Sequence, residues 1–199
     1  MSYSLDKKGV EKWASQHKYA TMRFFSANQD YVAARFCILN GFFSGFTLAS
    51  QAIEKLLKAI IYLETSEEMK SSHNLYGLKE KLKKIKDYSL DGFDLTLKKL
   101  YDHYLSRYHE DTPSIHADGS SGASSQELDL IDELWFTLVE KFPMPDEVKY
   151  LMALFNDLFE PNPYWLNGVW LTKNNSSFDK RKSVLLEKYI EVRKHLYRQ

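Results

Sequence analysis

Residues Asn40 to Leu63 read N-G-F-F-S-G-F-T-L-A-S-Q-A-I-E-K-L-L-K-A-I-I-Y-L. Asn40-Gly41 is a chain break of the kind that ends a helix, and a strongly patterned helix follows it, expected over roughly Ser44 to Glu64. Ala49, Ala52, Ile53, Leu56, Ile60 and Leu63 recur at three- and four-residue spacing and share one helical face. Gln51, Glu54, Lys55 and Lys58 fall on another, and Glu54 precedes Lys58 by four residues, the favourable order for a helical ion pair. A helix this apolar, with one narrow polar stripe, belongs in a core.

Working outward, Val10, Trp13, His17, Ala20, Phe24, Ala27, Tyr31, Ala34 and Ile38 alternate steps of three and four. That seam predicts one long helix, or two nearly coaxial ones, ending at Asn40-Gly41. Ala20, Ala27 and Ala34 on it admit a close neighbour. Downstream, a third helix is expected from Ser72 or His73, with Leu75, Leu78, Leu82 and Ile85 inward, and Asp91-Gly92 marks a turn. A fourth runs to about Tyr108, patterned by Leu97, Leu100, Tyr101, Tyr104 and Tyr108. Thr112 to Ser125 is rich in Ser, Gly and Asp and reads as a mobile loop. Ser124-x-x-Glu127 is a capping box for a fifth helix, which Pro143 and Pro145 end. Asp146 to Phe159 is helical again. Tyr164, Trp165 and Trp170 lie in a proline-bounded segment, read as a cover over the core rather than a ligand platform. Asp179 is the expected N-cap of a last helix striped by Leu185, Tyr189, Val192 and Leu196. No segment reads as a strand. The class is therefore all-α, an up-and-down antiparallel bundle of four to five core helices with additional C-terminal helices. Residues 1–142 are expected to form the bundle and 143–199 an extension packed on the same domain.

The chain has 199 residues, enough for one domain with a substantial core. Lys+Arg and Asp+Glu both number 27, which argues against a protein that coats nucleic acid non-specifically. The balance is uneven, because acidic residues crowd Glu110 to Glu160 while lysines cluster from Lys79 to Lys86 and basic residues from Lys180 to Arg198. A single cysteine, Cys37, excludes an internal disulfide and any multi-cysteine zinc site, and its apolar helical context predicts burial. Met1 to Gln16 is too polar for a signal peptide, and no apolar run reaches the roughly 20 residues that span a bilayer. A cytoplasmic location is the default expectation.

Three stretches share a resemblance. They are Asp30-Tyr31-Val32-Ala33-Ala34-Arg35 with Gly41-Phe42; Gln51 to Ala59 with His73-Asn74-Leu75 and Leu78; and Leu100 to Tyr108, ending in Arg107-Tyr108. In that order and spacing, from about Tyr19 to Phe142, they resemble the HEPN domains, whose name refers to nucleotide binding in higher eukaryotes and prokaryotes. The resemblance implies a helical bundle that often dimerises. It implies either a metal-independent ribonuclease, often a toxin of a toxin–antitoxin pair, or a noncatalytic module linked to nucleotides and nucleotidyltransferase partners. Ribonuclease members carry an Arg followed, after four to six residues, by a His: a cation for the phosphate and a base for the attacking 2′-hydroxyl. This sequence departs from that pattern. Thr112, Pro113 and Ser114 occupy the positions after Arg107, His109 comes too early and His116 too late.

Arg107, Tyr108 and His109 are the leading site candidates, at a helix C-terminus that favours cations. Arg107 can fork onto a phosphate while Tyr104 or Tyr108 stacks on a base. Gln51, Glu54, Lys55 and Lys58 are candidates to face a groove, against the plainer reading of a solvated stripe. Asp30 and Arg35 are expected to bond across to the second helix, and His73 to cap the third. His103, His109, Asp111 and His116 invite a metal, but no Glu-x-x-His pair occurs, so no metal or cofactor is expected. The reading that follows is a noncatalytic module, a homodimer, binding a nucleotide, RNA or a nucleotidyltransferase partner near Arg107. The alternatives are a metal-independent ribonuclease using Arg107 with His109 or His116, and a structural helical interaction protein.

Overall fold

A computed structural model describes residues 4–69, 72–85, 88–106, 125–150 and 176–197. Those residues form helices and turns, with no strand among them. The helices are α1 (Lys7–Gln16), α2 (Lys18–Leu39), α3 (Ser44–Thr65), α4 (Leu75–Ile85), α5 (Asp94–Leu105), α6 (Ser125–Lys141), α7 (Asp146–Tyr150) and α8 (Ser176–Tyr197). None is long and apolar enough to cross a membrane. The all-α bundle with added C-terminal helices is the class the periodicity predicts.

The N-terminal seam resolves into two helices. Asp6 caps α1, its side chain accepting from the Gly9 N–H at 2.7 Å. The chain then steps at His17, which leaves helical geometry with φ −111° and ψ 40°. At the other end of α2, Gly41 takes φ +77°, a left-handed turn that costs glycine little, and reverses the chain into α3. The α2–α3 pairing is antiparallel along its length: Tyr19 meets Tyr62, Asp30 meets Lys55, and Gly45 lies against Ala34 and Ile38. Ala20, Ala27 and Ala34 are fully buried on this seam, as their small size requires for two backbones to approach. Cys37 is only half-buried, because it sits off the seam one residue before Ile38.

Helix α3 is central. Its apolar residues from Ala49 to Ile61 are buried, and it touches α2, α4, α5 and α6. The third helix starts later than its hydrophobic pattern suggested. Asn74, rather than Ser72 or His73, caps α4, its Oδ1 accepting from the N–H groups of Tyr76 and Gly77 at 3.0 and 3.2 Å. Gly92, at φ +94°, makes the turn before α5, and α5 ends at Leu105, short of Tyr108.

Helix α6 closes the bundle against α2, antiparallel, with Phe24 on Phe142 and Trp135 stacked on Tyr31 at 4.2 Å. A charged group lies inside this contact. Arg35 and Asp132, both essentially inaccessible, form an ion pair, and the Tyr31 hydroxyl donates to the same carboxylate. Phe178 of α8 lies 4.0 Å from the Arg35 guanidinium. Burial is the first reason that the Tyr31 phenol stands well above its usual range, with the Asp132 charge adding to it. Burial likewise raises the Asp132 carboxyl, against the pull of Arg35. Arg35 thus reaches α6, not the second helix of the α2–α3 pair, because it lies a turn beyond Tyr31 on the face turned to α6.

Ser4 and Leu5 meet the C-terminal helices α7 and α8. Glu147 of α7 accepts from the Ser4 and Leu5 N–H groups at 2.6 and 2.8 Å, and His195 of α8 donates to the Leu5 carbonyl at 2.9 Å. Helix α8 begins at Ser176, ahead of the Asp179 cap predicted for it, and its buried Phe178 packs on Phe136. Ser124 of the capping box, the 151–175 segment with its Tyr164, Trp165 and Trp170, and residues 112–124 of the expected mobile loop lie outside the described residues.

Candidate functional site

The polar stripe of α3 does not form one solvated face. It divides in three. Lys55 turns to α2, donating to Ser26 Oγ at 2.7 Å and to Asp30 Oδ2 at 2.6 Å. The expected bond from Asp30 to α3 is therefore present. Glu54 and Lys58 turn inward and are only 7% and 2% exposed. Lys58 Nζ donates to Glu54 Oε1 at 2.7 Å, so the i,i+4 pair read from the sequence forms, but in a desolvated position. Gln51 lines an open groove of about 430 Å³.

That groove runs between the start of α3 and the end of α5. Phe43, Ser44, Thr47 and Leu48 form one wall, and His103 and Ser106 the other. The His103 ring lies flat on Phe46, with centroids 4.5 Å apart and planes 9° from parallel. One helical turn along α3 from Gln51, the second oxygen of Glu54 reaches His73 in the α3–α4 connector, with Oε2 3.1 Å from Nδ1. Tyr104, buried on α5, stacks on His73 at 5.5 Å and 20°.

The pairing of His73 with Glu54 is what sequence reasoning missed, since it read His73 as a helix cap. Its partner is 19 residues away, and only the turn between α3 and α4 brings the two together. Its capping role is taken by Asn74, one residue later. The signal was present in two parts: an isolated His in a polar connector, and a glutamate on the inner side of a core helix.

The arrangement has a definite chemical sense. Glu54 accepts from Lys58 through one carboxylate oxygen, and an ionised carboxylate only accepts hydrogen bonds. The proton of a neutral His73 therefore lies on Nδ1, which donates to Glu54. Nε2 is left as a basic lone pair on a side chain that is 53% exposed. Tyr104 restrains the ring from one face. Such a base, oriented by a buried carboxylate, can take a proton from a hydroxyl without a metal. Among the described residues no three His, Cys, Asp or Glu side chains are gathered as a metal site.

Of the sequence candidates, the fold brings Gln51, Glu54, Lys58 and Tyr104 to this region and sends Lys55 to the α2 side. Arg107, Tyr108, His109 and His116 lie outside the described residues, whose α5 segment stops at Ser106 on the groove wall. The HEPN domain is matched over residues 21–128. No curated protein and no solved structure matches the chain.

Proposed function

The chain belongs to the HEPN family, which is matched over more than half its length, and from that premise we propose that it is a metal-independent ribonuclease acting on single-stranded RNA. The observation that carries this reading is the His73–Glu54 pair beside the α3–α5 groove. The sequence lacks a His at the spacing after Arg107 that catalytic relatives use, and His73 supplies one from another part of the fold. In this reading Nε2 of His73 takes the proton of a 2′-hydroxyl as that oxygen attacks the adjacent phosphorus. Arg107, which follows Ser106 in the chain, is assigned to the charge building on the phosphate oxygens. The bond from phosphorus to the 5′-oxygen breaks, that oxygen takes a proton from solvent water, and the products are a 2′,3′-cyclic phosphate and a 5′-hydroxyl end.

The test uses the purified chain and a fluorescent single-stranded RNA in excess EDTA. Cleavage is expected, with cyclic-phosphate ends. His73→Ala and Arg107→Ala should each slow it by about 10²-fold or more, the usual weight of a positioned acid or base. Unchanged cleavage in His73→Ala refutes the assignment of the base.

A second reading is supported by the absent His after Arg107: a noncatalytic module that binds RNA or a nucleotide in the same groove. The groove itself, lined by Gln51, Thr47, His103 and Ser106, offers polar side chains to such a ligand. If no RNA is cut while AMP or RNA raises the melting temperature, this reading replaces the first. Self-association as a homodimer, docking of a nucleotidyltransferase and pairing with an antitoxin remain proposals drawn from family membership. A cytoplasmic location, read from the polar N-terminal stretch, and the division at residue 142 are likewise proposals. Light scattering on the purified chain tests the dimer.

A further inference from the structure

A second groove, of about 680 Å³, lies further along α3. Gln51 lines the first groove and Lys55 the second. These residues are four apart on α3, one turn or about 6 Å along its axis. The two hollows are therefore successive stretches along the outward edge of the same helix.

The chemistry of the second groove is cationic. Lys18 and Arg23 of α2 and Lys55 of α3 line it, with Glu68 as the one acid of the lining. Asp30 offsets Lys55 from beneath, yet the Lys55 ammonium has three donors and spends two, on Ser26 and Asp30. Arg23 lies over the Tyr19 ring, its Cζ 4.5 Å from the centroid, and among the described residues it makes no ion pair and its buried Nε meets no hydrogen-bond partner. Tyr19 is itself fixed, packed on Tyr62 at 4.7 Å and donating weakly to the Met69 carbonyl at 3.4 Å. A guanidinium held by a ring without a counter-anion, between two lysines, is suited to phosphate. The groove is an open trough, which fits a chain passing through better than an enclosed small molecule.

We propose that the second groove carries the continuing sugar–phosphate backbone of the single-stranded RNA that the first groove holds for cleavage, with Lys18, Arg23 and Lys55 contacting its phosphates. This rests on the ribonuclease reading for the identity of the strand, but its test does not require cleavage. Affinity is measured by fluorescence anisotropy for a tetranucleotide and a dodecanucleotide of uridine, in EDTA. The longer strand should bind tighter in the wild-type protein. Arg23→Gln should remove about tenfold of that length gain, the weight of a charged hydrogen-bonding contact. It should also flatten the salt dependence for the dodecamer by about 0.7 in log–log slope, one phosphate contact on a single strand. Glu68→Gln should tighten the dodecamer, and His73→Ala should keep the full length gain. No length gain in the wild type, or an undiminished gain in Arg23→Gln, overturns the second groove. If His73→Ala loses the length gain as Arg23→Gln does, the strand does not extend from one groove into the other, and the proposal also fails. Absence of cleavage with the length pattern intact sinks only the catalytic reading.

Discussion

Replacing Gly45 with alanine should push α2 and α3 apart, and replacing Gly77 with alanine should stabilise the protein. Both glycines are helical, so both changes gain up to about 0.5–1 kcal/mol from the reduced freedom of the unfolded chain. What separates them is the space a Cβ would enter. At Gly45 it would stand 2.6 Å from Ile38 Cγ1, 2.8 Å from the Ala34 carbonyl oxygen and 2.9 Å from the Ile38 nitrogen. Normal carbon contacts begin at about 3.5 Å, so the shortfall is about 1 Å. Two of the three atoms are α2 backbone, which cannot rotate aside. The helices must separate, and a gap of about 0.5–1 Å forfeits a quarter to a half of each dispersion contact along the seam. Overpacking of this kind costs about 1–3 kcal/mol. Net of the entropic gain, Gly45→Ala should lose roughly 1–2 kcal/mol. At Gly77 the nearest atom is Asn74 Cγ at 3.7 Å, an ordinary contact, so about 0.5–1 kcal/mol of gain remains. Urea unfolding followed by circular dichroism measures both, and for a chain this size each 1 kcal/mol moves the melting temperature by about 2–4 °C. If Gly45→Ala is as stable as the wild type or more so, the close α2–α3 approach is wrong.

Asp132→Ala should cost about 3–5 kcal/mol, since it removes one member of a buried ion pair and leaves the other in place, whereas Arg35→Met with Asp132→Leu should recover most of that loss; equal losses in the single and double variants would show that the pair is not coupled. Lys149 is 5% exposed, and burial pulls its ammonium below the ordinary value of 10.5 despite Asp146. The unfolded chain then binds the proton more readily, so this group makes stability rise with pH between the lowered folded value and about 10.5. Lys149→Met should flatten that rise in denaturant titrations from pH 7 to 10.5, and an unchanged slope would contradict it. Asn74→Ala removes the cap of α4 and should cost about 1 kcal/mol, read as a lower urea midpoint.

Much of the bundle could be read from spacing alone, because apolar periodicity reports directly which face of a helix is buried. The seam from Val10 to Ile38 and the core of α3 follow from it, and the Asn-Gly and Asp-Gly dipeptides give the turns at Gly41 and Gly92. Periodicity says nothing about what a polar residue meets. Gln51, Glu54, Lys55 and Lys58 share one arc of α3 in projection, yet α2 takes Lys55, the core takes the Glu54–Lys58 pair, and a groove takes Gln51. Glu54 and His73 meet through a turn between helices, and Arg35 finds Asp132 nearly a hundred positions on, separations that no local pattern encodes. The third helix began late for a similar reason: a leucine pattern cannot distinguish Ser72, His73 and Asn74 as caps, whereas one side-chain hydrogen bond does.

The Arg35–Asp132 pair also sets a constraint on how the chain can be made. A ribosome delivers α2 long before α6, so for nearly a hundred residues of synthesis the Arg35 guanidinium lacks the Asp132 carboxylate that it meets in the interior. The nascent α2–α3 hairpin must either keep that face toward water or be sheltered until residue 132 has emerged. The same holds for anyone excising the family-matched stretch. A fragment cut at residue 128 retains the cation and discards its counter-charge, along with the Trp135 and Phe178 rings that wall it in. Such a fragment would carry the family's sequence signature while lacking the group that lets it close.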